Sequence, residues 1–183
     1  MSEYAVLPET IVEFWWSAGL EKWFAKDDAF DETIRTRFLD LYERAATGGL
    51  DDWMDEPTGA LALVILLDQF PRNMFRGTPK VYATDEKAKA IAEMALERGD
   101  HETVSEDINQ FLAVPLMHSE DLADQDACIA WMERIGTEEN VKFARHHRDI
   151  IARFGRFPHR NAILGRETSP EEQAFLEEDG FTG

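Results

Sequence analysis

Leu61-Ala62-Leu63-Val64-Ile65-Leu66-Leu67-Asp68-Gln69-Phe70-Pro71-Arg72-Asn73 contains the longest apolar run in this chain and ends abruptly in polar and helix-breaking residues. An apolar block of this kind fits a buried strand or a buried helix. Leu and Ala dominate it, and the span from Pro57 to Gln69 is too long for a typical strand, so the stretch reads as a helix. A helix that is apolar on every side is a central one, packed all round. Pro57 can open it, because the first turn does not need the missing N–H. Pro71 biases Phe70 away from helical geometry. The chain is therefore expected to turn there, with Asp68 and Gln69 in the last turn of the buried helix.

The tail of this stretch is echoed late in the chain. Phe70-Pro71-Arg72-Asn73 returns as Phe157-Pro158-His159-Arg160-Asn161, with one residue inserted. The two tails are expected to meet in space and form a polar site.

Outward from the central helix, apolar residues recur at three-four spacing. Pro8 to Gly19 is a helix with Ile11, Val12, Trp15 and Trp16 on its inner side and Phe14 on another; Trp23 and Phe24 belong to a short second one. Asp27 or Asp28 caps a third, whose face is Phe30, Ile34, Phe38, Leu41, Tyr42 and Ala45, and Thr47-Gly48-Gly49 stops it. Thr84 is expected to cap a helix with Ala88, Ile91, Ala92, Ala95 and Leu96 inward. Ser105 is expected to cap another, interrupted at Pro115. Ser119 would cap a helix bearing Leu122, Cys128, Ile129, Met132 and Ile135. Thr137 caps the next, with Val141, Ala144, His147, Ile151 and Phe154 inward. Ser169-Pro170-Glu171-Glu172 is a capping box. No stretch alternates at period two. The reading is all-α, one domain over residues 1–183, with eight or nine helices as stacked helical hairpins.

The chain has 183 residues and a net charge of −18, which disfavours nucleic acid and anionic membranes. The average hides two basic islands: Lys142 to Arg166 carries +6 and Gln69 to Thr84 carries +3, leaving −27 elsewhere. These islands coincide with the two tails. The single Cys128 excludes an internal disulfide. The apolar run is far shorter than the ~20 residues needed to cross a bilayer, and the start lacks a signal-peptide pattern. A soluble, cytoplasmic protein is expected.

Several residues could carry chemistry. Asp68 reads as an ion-pair partner of Arg72 or Arg160, or as a general base, or as the orienter of a histidine. His147 lies on an apolar helix face, where a histidine is a core group or a catalytic base; His159 sits in the second tail and is the other candidate base. Arg72, Arg76, Arg156 and Arg160 flank bends, and their guanidinium forks suit carboxylate or phosphate. They could equally balance nearby acids. His118, beside Glu120, falls at a helix junction and joins the candidate ligand-binding set with Asn73 and Asn161. Ser119 is explained by capping, and Cys128 by packing. No histidines stand at i, i+4, so no metal site is assigned, and no motif identifies a cofactor.

Leu66-Leu67-Asp68-Gln69-Phe70-Pro71-Arg72-Asn73 with Arg76-Gly77, His118-Ser119-Glu120, and Phe154-Gly155-Arg156-Phe157-Pro158-His159-Arg160-Asn161 together resemble the bacterial "domain of unknown function 924" family. The likeness runs from the Trp15-Trp16 helix to Gly165-Arg166. It implies an all-helical, tetratricopeptide-like fold and hands over neither an activity nor catalytic residues.

Three functions follow as expectations. The first is a pocket for a small anionic molecule, with hydrolysis or proton transfer as its candidate reactions; whether the chain is an enzyme stays open. The second is a helical-repeat adaptor for a partner peptide. The third makes the polar tails a structural ion-pair network that holds helix register.

Overall fold

The computed structural model describes residues 6–23 and 25–179. No strand occurs among the described residues, and the fold is all-α. Helix α1 (Pro8–Ala18) opens on Pro8 and ends at Gly19, whose φ of 71° is a left-handed value that a residue without Cβ adopts freely. Ile11 and Trp15 are fully buried, whereas Trp16 is 54% exposed. The inner face thus includes Phe14, not Trp16: the Phe14 ring packs on Phe30, Phe38 and Phe70. In α2 (Leu20–Trp23) the Trp23 indole donates to the Trp15 carbonyl at 2.7 Å. Phe24 lies outside the described residues.

Helix α3 (Asp28–Ala46) is capped by Asp27, which accepts from the N–H groups of Ala29 and Phe30. Ile34, Phe38, Leu41, Tyr42 and Ala45 form its buried face, as their spacing requires. A 3-10 turn at Asp51–Asp55, unanticipated from the sequence, leads into α4 (Pro57–Val64).

The central helix does not turn at Phe70. α4 runs into a π turn, Ile65–Gln69, and then into α5 (Phe70–Met74) without a break. Phe70 is helical, with φ −60° and ψ −36°, and its N–H reaches back to the Ile65 carbonyl five residues away. The widened turn is what lets a proline sit inside a helix. Pro71 has no N–H for the Leu67 carbonyl and its ring crowds that oxygen; a π turn relaxes the crowding locally. Asp68 and Gln69 consequently lie in mid-helix.

Helix α6 (Asp85–Arg98) buries Ala88, Ile91, Ala92, Ala95 and Leu96. Thr84 stands at its start but does not cap it; its hydroxyl donates instead to the Leu67 carbonyl at 2.6 Å. The segment after Ser105 is not an α-helix. It is a run of turns with a 3-10 piece, Asn109–Leu112, followed by α7 (Val114–Met117) opening on Pro115. Ile108, Phe111 and Leu112 are nevertheless buried.

Helices α8 (Leu122–Ile135) and α9 (Glu138–Phe154) form a hairpin across Gly136. Asp121, not Ser119, caps α8, accepting from the Ala123 N–H at 2.8 Å. Thr137 and Asn140 make a capping box at the start of α9. The second tail forms a 3-10 turn, Pro158–Arg160, then α10 (Asn161–Leu164). Helix α11 (Pro170–Asp179) starts with the predicted Ser169–Glu172 box.

One large hydrophobic cluster surrounds α4, the π turn and α5. A smaller one joins Ile150, Ile151 and Phe157 to Phe175 of α11. The candidate site lies where the polar ends of these elements converge.

Candidate functional site

The two echoing tails meet. Arg72 grips the Asp85 carboxylate with two hydrogen bonds, Nη1 to Oδ1 and Nη2 to Oδ2, each 3.1 Å. Arg160 Nη1 stands 3.7 Å from the same carboxylate. The Arg160 Nη2 donates to the His118 carbonyl at 2.8 Å. Its guanidinium lies over two rings, 4.5 Å from the centroid of Tyr82 and 4.6 Å from that of Phe157. The side chain is almost fully buried, held by stacking that suits a planar, weakly hydrated cation.

Asp68 is the buried anchor of this joint. The π turn aims its carboxylate at three partners. Oδ1 is 2.8 Å from His118 Nδ1 and 3.3 Å from Arg72 Nη1, and Oδ2 accepts from the Gln69 amide at 2.6 Å. Burial pushes the Asp68 carboxyl up, but the Arg72 charge and the His118 contact outweigh it and bring it down to about 2. An ionised Asp68 selects the His118 tautomer that carries its proton on Nδ1. Burial, and next the Arg72 charge, hold the His118 pKa below the ordinary histidine value. His118 Nε2 then offers a lone pair and makes no hydrogen bond to the described protein.

His118 and Arg160 line a cavity of 290 Å³. Its other charged walls are Asp85, Glu86 and Lys89 from the start of α6, Glu120, and Arg166; Tyr82 and Leu164 close it. Arg166 makes a fork-to-fork pair with Glu120 at 2.8 and 2.9 Å, and Glu120 also accepts from the Phe157 N–H. Burial opposes the Glu120 charge, but these bonds keep its pKa lowered. Lys89 is held by Asp124 at 2.8 Å. The lining therefore carries three cations and three carboxylates, a balanced wall in place of the strongly positive one that the basic islands suggested.

A family model described as "Bacterial protein of unknown function (DUF924)" matches residues 11–180. The chain belongs to this family. A solved structure, that of a protein of unknown function from Agrobacterium tumefaciens, is similar to this one at 48% sequence identity, with a TM-score of 0.90, covering 93% of this chain and 97% of that one. No curated protein matches the chain.

In this DUF924 member the remaining sequence-predicted residues are not in the cavity wall. Asn73 and Arg76 both turn to Asp31 of α3: the Asn73 amide donates at 2.7 Å, and Arg76 binds through Nε and Nη2. They tie α5 to α3. Arg156 binds Glu172 through Nε and Nη2 and the Glu167 carbonyl through Nη2, which fastens α11. Asn161 is buried, its amide 3.4 Å from the Thr168 hydroxyl. His147 and His159 flank the Phe157 ring, at 5.7 and 5.6 Å between centroids. His147 Nδ1 donates to the Phe143 carbonyl at 2.8 Å. Burial drives both histidines down to about 3. His118, placed among the ligand-binding residues from sequence, is the histidine at the cavity.

Sequence reasoning missed Tyr82, Asp85 and Lys89. Asp85 and Lys89, four residues apart, share one face at the start of α6, and Tyr82 ends the 3-10 turn Pro79–Tyr82 just before it.

Proposed function

We propose that this protein binds a small carboxylate- or phosphate-bearing molecule in the cavity between its two tails, and that His118 transfers a proton there. One observation carries the reading: His118 is fixed through Nδ1 by a buried carboxylate while Nε2 stays open beside an arginine. That is the arrangement of a general base and its orienting acid. Asp68, with its pKa near 2, is a poor proton acceptor at neutral pH and acts as the positioning residue. Arg160 is the anion holder, its Nη1 making no hydrogen bond within the described protein.

For hydrolysis, Nε2 takes a proton from water as the water oxygen bonds to the acyl carbon or phosphorus. The bond to the leaving group breaks, and the proton passes from Nε2 to the departing atom. Arg160 balances the charge that gathers on the reacting oxygens. The net charge of −18 and the balanced wall favour a small molecule over nucleic acid.

The test is a panel of carboxylate and phosphate esters, with thermal shift on the same compounds. His118→Gln is expected to abolish turnover and leave binding intact; Arg160→Lys is expected to weaken binding. Identical responses of wild type and both variants to every compound would remove the proposal. A structural reading has its own support, since Asp68 is wholly buried and Asp85 is already paired. It predicts that the Asp68 and Arg160 variants lose stability with no change in any ligand response.

A further inference from the structure

The balanced wall says more about the ligand than its negative end. Two lining carboxylates are fully committed: Asp85 to the Arg72 fork, and Glu120 to Arg166 and the Phe157 N–H. Two lining cations are committed likewise, Arg166 to Glu120 and Lys89 to Asp124. What remains open is unequal in kind. Among the described residues Arg160 Nη1 makes no hydrogen bond, and neither does the Tyr82 hydroxyl. Opposite in charge is Glu86, 85% exposed, whose ion pair among the described residues is a loose one to Lys89 at 3.4 Å. The cavity thus offers one cation whose Nη1 is open to a further hydrogen bond, a neighbouring hydroxyl, one loosely paired carboxylate, and the open His118 Nε2.

A simple anion would meet Arg160 but also face Glu86 and the other two carboxylates, and like charges facing each other are disfavoured. A molecule with an anion at one end and a cation at the other meets no such conflict. At 290 Å³ the cavity falls just below the about 300–1,000 Å³ of pockets for drug-sized ligands, which suits a molecule the size of an amino acid or dipeptide. We propose that the ligand is a small amino-carboxylate zwitterion, its carboxylate at Arg160 and Tyr82 and its ammonium at Glu86, with the bond to be cleaved or the proton to be moved lying against His118. This rests on the cavity being a ligand site, as proposed above, and adds the second charge.

Titration calorimetry and thermal shift on the full chain test it with three probe sets. The zwitterions are L-alanine, L-glutamate and glycylglycine; the anions are acetate, succinate and inorganic phosphate; the cation is ethylamine. Zwitterions are expected to bind more tightly than either other set. Glu86→Gln is expected to weaken zwitterion binding about tenfold, the size of one charge-assisted hydrogen bond, and to strengthen anion binding by removing a like charge from the wall. Glu86 is so exposed that this variant folds as the wild type does. Anions binding as well as zwitterions, with Glu86→Gln silent, would overturn the zwitterion and keep the anion site. No binding by any probe, with Arg160→Lys equal to wild type, would overturn both.

Discussion

The Thr84 hydroxyl donates to the Leu67 carbonyl at 2.6 Å, across seventeen residues of sequence. Leu67 is the residue whose carbonyl Pro71 cannot serve, since a proline has no N–H to give four residues back. The bond therefore satisfies an acceptor that the central helix leaves open, and it ties the π turn to the start of α6. Both elements carry site residues: Asp68 on one, Asp85 and Lys89 on the other.

Replacing Thr84 by Val keeps the shape and removes the donor. A buried carbonyl then goes unsatisfied, at a cost of about 1–3 kcal/mol. Urea unfolding should show that loss, with Thr84→Ser recovering most of it. A wild-type midpoint in Thr84→Val would mean that the hydroxyl contributes nothing.

Asp68 makes stability depend on acid in a defined window. Its folded pKa, about 2, lies below its ordinary value of 3.8. The stabilisation is thus fully present above about pH 4 and is lost as the pH falls through 2. It amounts to about 2 kcal/mol for a shift of this size. Asp68→Asn should lower stability at neutral pH and flatten the dependence between pH 4 and 2, as read from denaturant midpoints.

His147 and His159 act at higher pH and for the opposite reason. Both are held neutral by burial, with folded values near 3 against 6.5 for an ordinary histidine. Protons bind the unfolded chain first, so stability falls as the pH drops from about 6.5 towards 3. The slope is about 1.4 kcal/mol per pH unit for each histidine. His147→Gln should remove one histidine's share of it. Imidazole resonances of both residues should stay fixed between pH 5 and 8.

Gly59 is a close backbone contact. A Cβ there would stand 2.0 Å from the Trp53 carbonyl oxygen, where only backbone could give way. Gly59→Ala should therefore destabilise the junction of the Asp51–Asp55 turn with α4, by about 1–3 kcal/mol or more, the range for overpacked cores. Its higher helix propensity would otherwise predict a gain, so thermal unfolding separates the two effects by sign.

Periodicity was enough for α3 and α6 and their buried faces, but not for Trp16 of α1 and Leu122 of α8, which are exposed, nor for the segment after Ser105. Three-four spacing marks the inward side of α3 and α6 whatever they pack against, because burial of that side is what makes the helix stable. The end signals at Asp27, Gly19, Thr137 and Ser169 were legible for a similar reason: caps are satisfied within a few residues of chain. Where a local signal competed with a distant partner, the distant partner won. Pro71 should have ended the helix, yet a π turn and the Thr84 hydroxyl absorb it. Thr84 and Ser119 should have been caps, yet the first serves Leu67 and the second donates to Asp124 at 2.5 Å.

The meeting of the two tails was read from their echo, but its composition was not. Which histidine faces the cavity depends on how α7 and α9 pack, and no local spacing encodes that. Charge counted along the chain placed +9 on the two islands, while folding brought Asp85, Glu86 and Glu120 against them. The amino-acid order by itself determined an all-helical body, its buried faces and the two polar joints, because those depend on neighbours within a turn or two. The tertiary structure alone decided that Asp68 meets His118 and that the wall is balanced, because hydrogen bonds and ion pairs between residues fifty apart exist only once the helices have packed.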